Sequence, residues 1–144
     1  MPGDAAGGAA AASLSVHVEL GSRGYDIRIG TGLLAEAGSL IAGLGRVKAA
    51  AIVADANTAE LYADRLATDL AAAGLRVVVV GIAPGEASKS FCVFEQVCEA
   101  IIAAKIGRDD LVVALGGGVV GDLAGFAAAS VRRGLRLVQV PTTL

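Results

Sequence analysis

The chain has 144 residues, 55% of them apolar and 18% charged. That is enough apolar content for one folded domain with its own core, and too much for a disordered chain. The formal net charge is −2 and Arg132-Arg133 is the one basic doublet, which gives no electrostatic footprint for nucleic acid, and no apolar run is long enough to span a bilayer.

Residues 1–12 are rich in Gly and Ala and lack the basic segment of a secretion signal. They read as a disordered leader, and a cytoplasmic location is expected. Residues 14–20 and 25–29 alternate apolar with polar, and Gly21 to Gly24 supplies a turn, so the chain opens on a β-hairpin. Thr31 caps a helix to about Leu44, with Leu33, Leu34, Ala37, Leu40, Ile41 and Leu44 on one face and Gly45 as its stop. Residues 49–54 form an apolar strand. Asp55 to Thr58 read as loop and cap, and a helix follows over 59–73 with Leu61, Tyr62, Leu66, Leu70 and Ala73 as its stripe.

Four successive valines, 77–80, make the most strand-like segment, broken by Pro84-Gly85-Glu86. Ser88 or Ser90 caps the next helix, to about Ile106, where Phe94, Val97, Cys98, Ile101 and Ile102 fall at i, i+3, i+4, i+7 and i+8. Residues 111–115 are a strand, followed by a glycine turn and a helix over 119–133. Gly134 closes that helix, and Arg132 and Arg133 suit its negative end. Residues 136–140 form the last strand, before Pro141-Thr142-Thr143-Leu144. Continuous apolar strands alternating with helices define an α/β fold: a Rossmann-like parallel sheet flanked by helices and preceded by the hairpin. With aromatics at 3%, its core must be built from Ala, Val, Leu and Ile.

In such a sheet ligands bind beyond the carboxyl ends of the strands. Four segments stand there: Asp55-Ala56-Asn57, Pro84 to Lys89, Gly116 to Asp122, and Pro141-Thr142-Thr143. The sharpest is Gly116-Gly117-Gly118-Val119-Val120-Gly121, which fits G-x-G-x-x-G between a strand and a helix. Glycines let the backbone approach a phosphate, and the helix start turns free N–H groups toward it. An ordinary dinucleotide fingerprint has an acid about 20 residues later, yet nothing after Asp122 is acidic. The turn therefore reads as a pyrophosphate cradle of another kind, with a purely structural turn as the alternative.

Asp122, placed in the first turn of its helix, either compensates the dipole or bonds a cofactor. Asp55 and Asn57 serve equally as helix-entry residues, and Glu86 with Lys89 as a solvated pair or as two contacts to one ribose or phosphate. Cys92 and Cys98 read as small buried hydrophobes, and His17 as a surface residue. One His without a Cys cluster makes no zinc site and no hydrolytic triad.

Several segments together resemble the N-terminal region of the 3-dehydroquinate synthases. They are Tyr25-Asp26-Ile27 with Ile29-Gly30, Pro84-Gly85-Glu86 with Ser88-Lys89, Gly116 through Phe126, Arg133-Gly134, and Val138-Gln139-Val140-Pro141-Thr142-Thr143-Leu144. The resemblance runs over about residues 14–144. It implies that residues 13–144 are an NAD-binding α/β domain, incomplete at its C-terminal end, with the family's helical domain absent. It implies NAD contacts from Pro84, Gly85, Glu86 and Lys89, from Gly116, Gly117, Gly118, Val119, Val120, Gly121 and Asp122, and from Thr142 and Thr143. Asp55 and Asn57 match an adenosine-ribose position that varies within the family. Arg133 matches an arginine that reaches the neighbouring subunit's substrate site in the family's homodimer.

The family reaction converts 3-deoxy-D-arabino-heptulosonate 7-phosphate to 3-dehydroquinate and phosphate in the shikimate pathway, using NAD transiently and a divalent metal, Zn or Co. The family's metal ligands and most of its substrate contacts lie beyond Leu144, so no catalytic residue and no metal ligand is assigned here. The chain reads as a fragment or truncated product. The alternatives are a related sugar phosphate cyclase of secondary metabolism and a non-catalytic nucleotide-binding remnant. The iron-dependent alcohol and glycerol dehydrogenases share the architecture and a similar glycine turn, but the Pro-Gly-Glu-x-Ser-Lys and Arg-Gly…Gln-Val-Pro-Thr-Thr segments favour the synthases.

Overall fold

The computed structural model describes residues 13–143, so the expected leader and Leu144 lie outside the described residues. The chain divides into two compact units, Met1–Ala37 and Gly38–Leu144. In the first, β1 (Leu14–Val18) and β2 (Tyr25–Ile29) pair antiparallel around a tight turn at Gly21–Arg23, as the alternation predicts. Leu14 stands opposite Ile29, Val16 opposite Ile27 and Val18 opposite Tyr25, so one face of the hairpin is apolar. That face is uncovered among the described residues: Leu14 is 59% exposed and Ile29 52%.

Helix α1 (Leu34–Ala42) starts after a turn in which Gly32 and Leu33 carbonyls accept the N–H groups of Ala35 and Glu36. It stops short of Leu44, which is exposed rather than on the buried face. Gly38 is buried where α1 crosses α3 (Asp64–Ala72). A Cβ there would lie 2.6 Å from the Asp69 Cβ, so only glycine permits this approach.

The second unit holds a parallel sheet of β3 (Ala49–Asp55), β4 (Arg76–Ile82), β5 (Leu111–Gly116) and β6 (Arg136–Pro141), in the order β4-β3-β5-β6. The first crossover runs one way along the sheet and the other two run the opposite way. Right-handed connections therefore put α3 on one face, and α4 (Phe91–Ala103) with α5 (Gly118–Ser130) on the other. Beneath α4 and α5, Ala51, Val53, Val112 and Ala114 pack with Val97, Ile101, Val120, Ala124 and Ala127. The small residues let α5 lie close to the strands, which answers the shortage of aromatics.

Burial on both faces holds for β3 and β5. It fails for the four-valine strand, which is an edge: Val79 is 42% exposed. Downstream of β3, helix begins at once, as α2 (Ala56–Thr58), a π-helical turn (Ala59–Ala63) and α3. Leu66 and Leu70 are buried, but Leu61 points outward and Ala73 is an exposed cap, so the buried arc is narrower than the expected stripe. Ser90, not Ser88, caps α4, accepting the Val93 N–H at 3.3 Å. The cysteines are not both buried. Cys92 faces solvent in the first turn of α4, and Cys98 packs at the core's margin, where burial raises its thiol pKa.

Helix α5 ends at Ser130, three residues before Arg133. Arg132 and Arg133 then adopt left-handed backbone, φ 51° and 64°, ahead of Gly134 at 113°. They thus stand past the helix end rather than in its last turn. Left-handed backbone costs about 1 kcal/mol or more at each non-glycine position.

Candidate functional site

The sheet order creates a switch point. The crossover from β3 leads out to β4 and that from β5 leads out to β6, leaving a crevice between the carboxyl ends of β3 and β5. Asp55 ends one strand and Gly116 the other. The Thr58 hydroxyl ties the two, donating to the Leu115 carbonyl at 3.1 Å. Asp55 caps α2: its Oδ1 accepts the N–H groups of Asn57 and Thr58, both at 2.9 Å, leaving Oδ2 outside these bonds. Asn57 sits exposed in that first turn.

The loop after β4 is shaped by Gly85, whose φ of 97° favours glycine. Ser88 is buried, and its hydroxyl donates to the Ala83 carbonyl, closing the loop on itself. This shape presents Glu86 and Lys89. The Lys89 ammonium lies 3.4 Å from Glu86 and 2.8 Å from the Asp122 carboxylate. The hydrogen bond that Lys89 donates to Asp122 does most to raise the Lys89 pKa above its ordinary value, partial desolvation opposes it, and Glu86 adds to the rise. The structure thus brings together two of the segments singled out in the sequence. Asp122, however, stands five residues after the capping residue Gly117, so it lies in the second turn and caps nothing.

At the glycine turn, Gly117 heads α5 without any side-chain cap, so the first N–H groups of α5 have no side-chain acceptor. Each glycine has its own reason. A Cβ on Gly116 would lie 2.8 Å from Val120 Cγ2, one on Gly117 2.9 Å from Thr143 Oγ1, and one on Gly121 2.8 Å from Gln139 Oε1. At Gly118 nothing lies within 4 Å; that space is open. Val119 is partly buried, whereas the Val120 side chain is fully buried in the core and leaves only its backbone to face a ligand. Thr142 donates its N–H to the Gly116 carbonyl at 3.0 Å, which holds Thr142 and Thr143 against the turn. Pro84, Gly85, Thr142 and Thr143 are all exposed at this edge.

Beside the Lys89–Asp122 pair lies an open cleft of about 260 Å³, flanked by Phe91, Phe94 and Phe126. The rings of Phe94 and Phe126 stack at 4.6 Å. This aromatic wall was not legible in the sequence: Phe94 fits the core stripe of α4, and its partner is 32 residues away. Arg133 is not brought to this edge. It follows the far end of α5, roughly 20 Å from the glycine turn at about 1.5 Å per residue. No group of three His, Cys, Asp or Glu residues that could hold a metal occurs among the described residues. His17 is exposed on the hairpin, its Nδ1 2.7 Å from Asp26.

The fold is similar to that of solved sugar phosphate cyclases. A 2-deoxy-scyllo-inosose synthase, solved with carbaglucose-6-phosphate, NAD+ and Co2+, superposes with a TM-score of 0.79 at 25% identity, over 90% of this chain and 35% of its own. The 2-epi-5-epi-valiolone synthase of Streptomyces hygroscopicus subsp. jinggangensis, solved with NAD+ and Zn2+, gives a TM-score of 0.61 at 33% identity, over 72% of this chain and 30% of its own. The chain thus shares its fold with the N-terminal part of solved sugar phosphate cyclases.

Residues 79–144 match the family model described as 3-dehydroquinate synthase N-terminal. A 3-dehydroquinate synthase of Rhizobium etli is 52% identical over 130 residues, 90% of this chain and 34% of that protein. The chain is similar to the N-terminal region of the 3-dehydroquinate synthases, and it spans about a third of the length of the relatives it matches.

Proposed function

We propose that this chain is the NAD-binding part of a 3-dehydroquinate synthase, an enzyme that converts 3-deoxy-D-arabino-heptulosonate 7-phosphate to 3-dehydroquinate and phosphate in the cytoplasm. The observation that carries the reading is the convergence of the four loop segments on one sheet edge, knitted by Lys89–Asp122, Thr58–Leu115 and Thr142–Gly116.

The residues fit the cofactor. The uncapped start of α5 and the open space at Gly118 suit a pyrophosphate. Asp55, beside the glycine turn across the switch point, offers a free carboxylate oxygen to a ribose hydroxyl. It takes the place of the acid absent downstream of Asp122. Glu86, Lys89 and Asp122, joined by the Lys89 ion pairs, offer polar contacts to the second ribose, and Gly85, Thr142 and Thr143 stand exposed at the same edge. Bound there, NAD would supply a hydride acceptor, and the residues of this edge would hold it in place. Among the described residues no cluster of His, Cys, Asp or Glu fits a divalent metal, so on this reading its ligands and the substrate's main contacts are supplied from outside them. Arg133, on its left-handed turn, is assigned to the substrate site of a second copy in a homodimer.

A cyclase acting on another sugar phosphate is the second reading, supported by the superposition on 2-deoxy-scyllo-inosose synthase. The higher identity to 3-dehydroquinate synthases favours the first.

Calorimetric titration of the 144-residue chain tests the proposal. NAD is expected to bind weakly, with Kd on the order of 0.1–1 mM, and the chain by itself to form no 3-dehydroquinate. Absence of binding at millimolar NAD would favour a non-binding remnant, and formation of 3-dehydroquinate would overturn the assignment of metal and substrate ligands to further sequence.

A further inference from the structure

The fold collects basic charge that the sequence scatters. Lys48 precedes β3, Arg76 opens β4, Asp110 precedes β5 and Arg136 opens β6. In a parallel sheet these starts lie side by side, at the amino edge, roughly 17 Å from Gly116 at about 3.3 Å per residue. Arg46, Lys105 and Arg108 stand beside them in the connections. Half of the chain's 12 Lys and Arg residues therefore gather at this edge, against Asp109 and Asp110.

Little of that charge is offset. The Arg76 guanidinium donates to the carbonyls of Ala104 (2.6 Å) and Lys105 (3.3 Å), and that of Arg136 to the carbonyls of Leu44 (2.6 Å) and Asp109 (3.5 Å). Both arginines bond neutral oxygens. Asp110 is already engaged: Oδ1 accepts from the Lys48 and Ala49 N–H groups at 3.1 and 2.9 Å, and Oδ2 from the Gly107 N–H at 2.7 Å. These bonds pin the loop 107–110 to the start of β3. Between the two lies a depression of about 280 Å³, lined by Arg46, Lys48, Gly107, Arg108, Asp109 and Asp110. Among the described residues the side chains of Arg46, Lys48 and Arg108 have no hydrogen-bond or ion-pair partner, and Asp109 is the one acid facing them that is not engaged by backbone donors.

We infer that this depression binds the phosphate group of a small phosphorylated molecule. Arg46 and Arg108 are its principal donors, with Lys48 adding charge. A rigid concavity with several free cations and one opposing carboxylate suits a multiply charged oxyanion, because guanidinium forks bond phosphate oxygens in pairs. The site is independent of the NAD reading, lying at the other edge of the sheet.

The test titrates pyrophosphate into the isotope-labelled 144-residue chain at low ionic strength and follows backbone amide shifts. Shifts are expected at Ala49, Gly107 and Arg108. The double substitution Arg46→Ala with Arg108→Ala should weaken binding by about tenfold or more, whereas Asp109→Asn should tighten it. Neither arginine side chain holds the fold together, so the amide spectrum of the double variant should otherwise match that of the parent. Shifts confined to Gly117–Gly121, or an affinity indifferent to these substitutions, would overturn the site. The first of those outcomes would at the same time support the pyrophosphate cradle of the carboxyl edge.

Discussion

Single residues separate structural from ligand roles most sharply at the glycine turn. Alanine at Gly116 would push its Cβ to 2.8 Å from a buried valine, Val120, which has no room to yield. The expected cost is about 1–3 kcal/mol of stability. Alanine at Gly118 enters open space, so stability should hold or rise slightly through helix propensity, while NAD affinity falls because the cradle is filled. Thermal unfolding and NAD titration of both variants distinguish the two effects. Equal losses of stability would remove the basis for calling Gly118 a ligand position.

Asp110 makes a pH-dependent prediction. Burial raises its pKa, but the N–H donors of Gly107, Lys48 and Ala49, with Arg76 nearby, outweigh it and hold the carboxyl below its ordinary range. A depressed folded-state pKa means stability that is present above the unfolded value, about 3.9, and lost as pH falls through the folded one. Asp110→Asn should therefore cost about 1–3 kcal/mol at neutral pH, and the gap to the parent should narrow in acid. Denaturant unfolding at pH 7 and pH 3 measures it. The candidate residues at this scale were legible because turn glycines, acids and threonines interrupt apolar strands. Their pairings were not: Lys89 and Asp122 are 33 positions apart, and nothing local says that they touch.

At the scale of elements, hydrophobic period and glycine punctuation located every strand and the helices within a few residues. The errors share a cause, which is that termini depend on packing. Leu44 lies past the end of α1 and Leu61 outside the buried arc because neither has a partner surface there. Helix α5 stops at Ser130 because the Leu135 N–H bonds back to the Ala128 carbonyl at 2.7 Å, forcing Arg132 and Arg133 into a left-handed turn. The β1–β2 hairpin is two strands with an apolar face uncovered among the described residues, and such a pair is marginal in water. Hydrogen exchange of the 144-residue chain should show its amides far less protected than those of β3 and β5. Equal protection would mean that its apolar face is covered in solution.

For the whole molecule, the alternation of apolar strands with helices correctly set an α/β fold, composition set a core of Ala, Val, Leu and Ile, and the family resemblance agrees with the relatives found. Strand order could not be read, because two apolar strands buried on both faces look alike wherever they lie. Nor could the distribution of charge. The doublet Arg132-Arg133 is conspicuous in sequence, yet the basic edge is assembled from six residues spread over 91 positions, Arg46 to Arg136.

The switch point also governs when the molecule takes shape. Its central pairing joins Ala50 to Leu111 and Ala54 to Leu115, a separation of 61 residues. Until β5 slots between β3 and β6, the loops ending at Asp55, Lys89 and Thr143 have no common edge. Such long-range closure is slow compared with hairpins and helices. A ribosome will have made more than two-thirds of this chain before the crevice can exist, so a ligand that prefers the closed crevice draws the last step of folding toward completion.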